Sequence, residues 1–302
     1  MSNPEFKSGF ISILGPTNSG KSTLTNALVG QKVSIVSKRV QTTYHGVKGI
    51  RNTPTTQIVF IDTPGFQEHR EPVAQLLNRV ADKNGREADF QMWVFDASNP
   101  TAFSQCERLR NKIESFGDPQ KNLCILNKAD KLPKPKLLPM IERFHSLGIF
   151  SEIIPLSALK KDGVDHLARL LESKLSPGIP YFPTDMITDR TQQFLATEII
   201  REKIYSVTLQ EIPYSVRVEI EEWESDPQIK VPTIRAIIHV DADSKKGILI
   251  GKGGLKLKEI GTFARRDIES LAGKQVCLKL HVNVEDHWKQ DPRKVNQYLE
   301  LQ

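Results

Sequence analysis

The chain has 302 residues, with 42 Lys+Arg against 36 Asp+Glu, 38% hydrophobic content, 18 Gly, 18 Pro and 3 Cys. At roughly 150 residues per domain that length predicts about two domains, and the charged fraction of 26% describes a soluble globular protein rather than a disordered or fibrous one. No run reaches the ~18 apolar residues of a membrane span, and the start, Met1-Ser2-Asn3-Pro4-Glu5-Phe6-Lys7, lacks a signal core. Cys106, Cys124 and Cys277 are scattered, which argues against zinc or disulfide frameworks and for reduced thiols in a cytosol-like compartment.

In chain order, the apolar run Phe10–Leu14 leads to Gly15 and a helical pattern over Lys21–Val29. Strand patterns follow at Gln57–Asp62, Gln91–Asp96, Asn122–Asn127 and Ile153–Leu156, with helical stretches at about Val73–Arg86, Ser104–Phe116, Lys136–Leu147 and Val164–Leu175. A further strand is counted between the first helix and Gln57, without assigned residues. Strands apolar at nearly every position, alternating with helices, predict an α/β fold with a mostly parallel sheet covered on both faces. Ligands of such sheets bind at the carboxyl ends of the strands, where Asp62, Asp96 and Asn127 stand.

Ser176-Pro-Gly-Ile-Pro-Tyr-Phe-Pro183 reads as a stiff boundary because proline fixes φ and keeps the preceding residue extended. The expected division is a first domain over 1–176, a Pro-rich linker over 177–187 and a second domain over 188–302. In the second domain the patterns predict an amphipathic helix (Arg190–Leu209) and two strands (Ser215–Trp223, Thr233–Val240). A short helix to Gly251, a helix over Leu255–Leu271, a strand over Gln275–Val284 and a last helix after Pro292 complete it.

Gly15-Pro16-Thr17-Asn18-Ser19-Gly20-Lys21-Ser22 matches G-x-x-x-x-G-K-[ST] between a strand and a helix. There, glycines let backbone N–H groups curl around phosphate, Lys21 neutralises β/γ-phosphate charge, and the Ser22 hydroxyl is a hard ligand for Mg²⁺. Thr23 completes the expected phosphate-binding set. Asp62-Thr63-Pro64-Gly65 ends the next parallel strand, where a carboxylate can hold the metal and the Gly65 N–H can meet a γ-phosphate. Asn127-Lys128-Ala129-Asp130 follows another. The Asp130 carboxylate can accept from the guanine N1–H and exocyclic amine, a donor pair adenine lacks, so GTP is selected over ATP. Ser157-Ala158-Leu159 is placed to offer an N–H to the guanine O6.

Lys38-Arg-Val-Gln-Thr42-Thr43-Tyr44 lies where a mobile loop can order around Mg²⁺, with Thr43 the favoured metal ligand. Lys21, Thr43, Gly65 and Asn18 are the candidate catalytic residues; Ser22, Thr43 and Asp62 are the candidate metal ligands. Phe66 follows the D-T-P-G and cannot orient a water by hydrogen bonding, so slow hydrolysis is expected unless another group substitutes.

From Ser244 to His281 nine basic residues face three acidic ones, an excess equal to the net charge of +6. Such a block favours a polyanion partner. From Glu211 to Asp226 six acids face Arg217 alone, and within it the acidic strand Glu219-Ile-Glu-Glu222 is expected to face solvent, away from RNA. Gly251-Lys252-Gly253-Gly254 joins two helical patterns; a G-x-x-G turn exposes N–H groups that can clamp a nucleic-acid backbone. Ile248-Leu249-Ile250 is expected to line an apolar platform under the bases. Lys245, Lys246, Lys252, Lys256, Lys258, Arg265 and Arg266 are expected to meet phosphates. Two rivals remain open: a signalling or membrane-associated switch whose second domain binds protein, and an RNA-binding protein whose nucleotide pocket is hydrolytically silent. A salt-sensitive RNA shift tests the first, and single-turnover phosphate release in K⁺ versus Na⁺ tests the second.

The series G-P-T-N-S-G-K-S, Q-T-T, D-T-P-G-F, N-K-A-D and S-A-L resembles the translation-factor-related GTPases that carry a hydrophobic residue in place of the catalytic Gln. Together with the helix–strand–strand–helix–helix–strand order of the second domain, similar to a type II KH fold, it resembles the KH-domain ribosome-assembly GTPases within that class. Thr188-Asp-Arg190, Pro213-Tyr-Ser-Val216 and Trp288-Lys-Gln-Asp-Pro-Arg293 extend the likeness over nearly the whole chain. The resemblance implies GTP hydrolysis with Mg²⁺, a K⁺ held with the help of Asn18 in place of an arginine finger, and a role in 30S assembly. It also implies binding of single-stranded ribosomal RNA at the 3′ end of the small-subunit RNA, by a cytoplasmic monomer whose contact with membrane, if made, is peripheral. The sequence departs from the family at Tyr44, where relatives usually carry Arg.

Overall fold

The structure, a computed structural model, describes residues 5–36, 46–66, 72–208, 216–224, 226 and 228–285. It falls into two compact units that divide between Asp189 and Arg190.

The first unit runs β1 (Lys7–Leu14), α1 (Lys21–Val29), β2 (Val47–Asn52), β3 (Thr56–Asp62), α2 (Pro72–Glu87), β4 (Phe90–Asp96), α3 (Ala102–Glu114), β5 (Asn122–Asn127), α4 (Lys134–His145), β6 (Glu152–Pro155) and α5 (Val164–Lys174). The sheet order is β2-β3-β1-β4-β5-β6, parallel except for β2, which pairs antiparallel with β3. Successive strand residues point to opposite faces. Ile11, Ile13, Met92, Val94, Leu123 and Ile125 pack with Leu24 and Leu28 of α1 and Leu167 and Leu171 of α5. Leu14, Trp93, Phe95, Cys124 and Leu126 pack on the other face with Ala81 of α2, Cys106 and Ile113 of α3, and Phe144 of α4. This double burial is why the strands lack polar alternation. β2, Val-Lys-Gly-Ile-Arg-Asn, is an edge strand whose pattern carries no comparable signal.

Residues 177–187, expected as a linker, are tied to this first unit. Gln57, fully buried in β3, accepts from the Tyr181 and Phe182 N–H groups at 2.6 and 3.0 Å. Its amide donates to the Phe182 carbonyl and to Asn52 Oδ1, each at 2.8 Å. The Ile50 N–H donates to the Ile187 carbonyl, Asn52 Nδ2 to the Met186 carbonyl, and Lys48 pairs with Asp189 at 3.0 Å. The segment thus runs as a strap from Lys7 of β1, which bridges Pro177, past Gln57 to β2, where Met186–Thr188 cover the open strand edge.

The second unit runs α6 (Gln192–Val207), β7 (Val216–Trp223), β8 (Thr233–Val240), α7 (Asp243–Ile250), α8 (Leu255–Ala272) and β9 (Cys277–Val284). β8 is central, antiparallel to β7 and parallel to β9. Ile234, Ala236, Ile238 and Val240 of β8 are buried, as are Ile260, Ala264 and Ile268 of α8. α6 differs from the expected amphipathic helix. Buried residues occupy every side of it, including Glu198 and Arg201, which pair at 2.8 Å. The pairing lets a helix with charged residues be enclosed. The helix expected after Pro292 lies outside the described residues.

Candidate functional site

The turn after β1 depends on glycine at both ends. Gly15 has φ +129°, and a Cβ there would lie 2.3 Å from the Val94 carbonyl oxygen. Gly20, at φ +93°, precedes α1, and a Cβ there would lie 2.3 Å from Asn127 Nδ2. α1 has no acidic residue in its first turn and no side-chain cap, so its N–H groups and positive pole are left for an anion. Lys21 is buried, donating to the Pro16 carbonyl at 2.8 Å and the Gly15 carbonyl at 3.3 Å. Burial lowers its pKa to about 8 against an opposing pull from Asp62. An ammonium kept out of water and donating to loop carbonyls is primed for a phosphate.

Asp62 is fully buried at the end of β3, and Ser22 is buried in the first turn of α1. A carboxylate and a hydroxyl are the hard oxygen donors Mg²⁺ takes, and the carboxylate acts on Lys21 through its charge, so these residues fit the ion. Thr63 donates to the Ile13 carbonyl at 2.7 Å, and the Phe66 N–H donates to the Gly15 carbonyl at 3.1 Å. A Cβ on Gly65 would come within 2.8 Å of the Thr17 backbone. Asp62-Thr63-Pro64-Gly65 therefore lies directly on the phosphate turn, and only glycine permits the approach. Thr23 is half-buried one residue beyond Ser22. Thr43, with all of Lys38–Tyr44, lies outside the described residues.

The base-reading motifs are stitched to the same turn. Asn127, buried at the end of β5, donates to the Ser19 carbonyl at 2.9 Å and accepts from the Ala158 N–H at 3.0 Å. One carboxamide thus joins the phosphate turn, its own loop and Ser157–Leu159. The Ala129 N–H donates to the Leu156 carbonyl at 3.1 Å. Asp130 is exposed in the short 3₁₀ turn Ala129–Lys131, its carboxylate open to a base. Ser157 and Ala158 are buried, whereas Leu159 is 71% exposed.

Lys128 donates to the Asn18 carbonyl and to Asp96 Oδ2, both at 2.7 Å. Burial acts to raise the Asp96 pKa, but hydrogen bonds from Lys128 and Ser98 and the Lys128 charge prevail and hold it below the usual carboxylate range. Sequence reading placed Asp96 at a strand end and gave it no role. The available signal was its position in the strand-end series.

In the second unit Gly251, Gly253 and Gly254 have φ of +73°, +60° and +77°, a run of left-handed backbone that other residues rarely adopt. A Cβ on Gly251 would meet Lys256 Cβ at 2.8 Å, which seats the half-buried Lys256 against the turn. At ~100° per residue, Lys258 points ~200° away from Lys256 on α8 and shares its flank with Arg265 seven residues on. The helix therefore does not bring the expected cations to one face. Lys252 and Arg266 are exposed, Lys246 is half-exposed, and among the described residues none of these three has an acidic partner within 4.0 Å. Lys245 is held by Asp241 at 2.7 Å, and Arg265 lies 3.9 Å from Glu269. The platform expectation needs a correction. Leu249 is fully buried and belongs to the core, Ile250 is half-exposed, and Ile248 is 47% exposed. Leu255 and Phe263, 68% and 40% exposed on α8, add apolar surface that sequence reading did not name.

Both units have counterparts among known proteins. Residues 10–128 match the family model described as 50S ribosome-binding GTPase, and residues 211–289 match the KH domain. The chain is 40% identical over 293 residues to GTPase Era of Syntrophus aciditrophicus, covering 97% of this chain and 95% of the relative. It is 40% identical over 293 residues to GTPase Era of Geobacter metallireducens, covering 97% of each. Among solved structures it resembles Era in complex with MgGDPNP and nucleotides 1506–1542 of 16S ribosomal RNA, with TM-score 0.91 and 37% identity over 97% of this chain and 98% of that one. A point variant of Aquifex aeolicus Era bound to GDP·AlF₄⁻ gives the same TM-score and identity, over 97% of this chain and 99% of that one.

Proposed function

The chain belongs to the Era family of GTPases, and on that premise we propose that it is a GTP-hydrolysing switch that binds the 3′ end of small-subunit ribosomal RNA during 30S assembly. The observation that carries the reading is Asn127. Its one side chain hydrogen-bonds both the phosphate turn and Ala158, which ties three motifs together, and the Phe66 N–H on the Gly15 carbonyl joins Asp62-Thr63-Pro64-Gly65 as the fourth. In this reading Gly15–Ser22 wraps the phosphates, Lys21 exchanges loop carbonyls for β/γ-phosphate oxygens, and Asp130 reads the guanine edge. Ser22, Asp62 and Thr43 hold Mg²⁺, which neutralises phosphate charge when bound. Asn18, exposed at the mouth of the turn, would help hold a K⁺ supplying the charge of an arginine finger. The Gly65 N–H meets the γ-phosphate and so reports its loss.

The KH unit, 188–302 in this proposal, takes RNA at the Gly251–Gly254 turn. Lys252 and Lys256 are nearest the backbone, and Ile248 and Ile250 lie beneath the bases. The solved complex of a relative with 16S ribosomal RNA supports RNA as the ligand. The protein acts in the cytoplasm as a monomer, and any membrane contact is peripheral. Among the described residues no helix is long and apolar enough to cross a membrane.

The test is RNA binding by the full chain loaded with GTP analogue or GDP, followed by sequencing of crosslinked RNA. Enrichment of the small-subunit 3′ end that depends on nucleotide supports the reading; recovery without sequence or nucleotide preference overturns it. Hydrolysis that is faster in K⁺ than in Na⁺ supports the potassium assignment, and equal rates remove it.

A further inference from the structure

Asp96 closes β4 with a half-buried carboxylate. Its Oδ1 accepts from the Ser98 N–H at 3.0 Å and the Ser98 hydroxyl at 2.6 Å, which fixes the carboxylate plane. Its Oδ2 accepts from the Lys128 ammonium at 2.7 Å, and the same ammonium donates to the Asn18 carbonyl at 2.7 Å. Both ends of that bridge carry left-handed backbone, Asn18 at φ +60° and Lys128 at φ +61°, a conformation that surrounding contacts must maintain. The neighbouring Ser19 carbonyl is held from the same loop by Asn127.

Two consecutive carbonyls of the phosphate turn are therefore gripped by two consecutive side chains of the base-reading loop. Asn127 is short and enclosed. Lys128 has a flexible four-carbon stem and needs a counter-charge to stay in one place.

We propose that Asp96 is a positioning residue for nucleotide retention: by seating Lys128 on the Asn18 carbonyl it locks the phosphate turn to the guanine-reading loop. Without the carboxylate, the ammonium turns to solvent, the Asn18 peptide relaxes, and the nucleotide loses its hold at both ends together. Ser98 acts one step further back by orienting the carboxylate. This rests on the guanine-nucleotide reading of the site.

The experiment is release of mant-GDP from the full chain, followed by stopped-flow after a chase with excess GDP. The variants are Asp96→Asn, Lys128→Met, the double variant and Ser98→Ala, and the melting temperature of each nucleotide-free protein reports folding. The expected result is a release rate raised on the order of tenfold by Asp96→Asn. The double variant should release no faster than Lys128→Met alone, and Ser98→Ala should give a smaller rise in the same direction. That non-additivity separates positioning from general loosening, which would add. Additive effects, or unchanged release from both Asp96→Asn and Ser98→Ala while the parent holds mant-GDP, overturn the assignment. A parent protein that fails to hold mant-GDP, or yields it equally to an ATP chase, overturns the guanine-site reading instead.

Discussion

Phe66 lies flat against Trp93, with ring centroids 5.7 Å apart and planes 14° from parallel. The residue standing where a water-orienting glutamine is expected is thus packed on a fully buried indole. Phe66→Gln should therefore not create a faster enzyme. A side chain that positioned water would supply on the order of 10²-fold, and a gain of that size in single-turnover hydrolysis would show that position 66 swings to the phosphate. Loss of the stack should instead lower stability by about 1 kcal/mol, read in urea unfolding.

Asp130→Asn should cost GDP affinity on the order of 10²-fold, because the amide presents a donor to the guanine N1–H or amine and strands a hydrogen bond. Xanthine carries an acceptor where guanine carries the amine, so XDP binding should improve. Competition of GDP and XDP for a fluorescent nucleotide measures both, and unchanged base preference would remove Asp130 from the base site.

The Lys21 pKa of about 8 makes a proton-linkage prediction. The unfolded chain titrates this group near 10.5, so between about pH 8 and 10.5 the nucleotide-free fold binds fewer protons than the unfolded state. Its stability should therefore rise with pH across that window; the burial penalty, about 3 kcal/mol, is fully present below it. A bound phosphate restores the charge. GDP binding at pH 9 should take up about one proton, and at pH 7 almost none. Titration calorimetry in buffers of different ionisation heat reads this directly, and heats independent of buffer at pH 9 would contradict it.

On α8, Lys256 abuts the Gly251 turn while Lys258 and Arg265 share another flank. Alanine at Lys252 or Lys256 should each reduce the salt slope of RNA binding by about 1. Alanine at Lys258 or Arg265 should leave that slope nearly unchanged, and GTP affinity should not move for any of the four. Equal losses from all four would mean that RNA wraps the helix.

Gln57→Leu would strip the partners of the Tyr181 and Phe182 N–H groups and the Phe182 carbonyl. Stranding these groups should cost roughly 3 kcal/mol and open the strap to chymotrypsin at Tyr181 and Phe182. Cleavage no faster than in the parent would mean that other contacts suffice to hold it.

Composition, motifs and element order were readable from the chain because each is dictated locally. A turn that curls around phosphate must place glycine at fixed intervals, as at Gly15 and Gly20, and a strand buried on both faces must be apolar along its middle, as Leu123–Leu126 is. The order of strands and helices in the second unit followed from the same periodicities. The strap, the enclosed α6 and the clamp of Asp96 on Lys128 carry no local signature. Gln57 meets Tyr181 across 124 residues, and Asp96 meets Lys128 across 32. Such hydrogen bonds exist only once the sheet has brought strand ends together, so no run of neighbouring residues could have announced them. The same holds for Leu249, since the apolar pattern of Ile248-Leu249-Ile250 cannot say which side chain faces a core that distant strands complete.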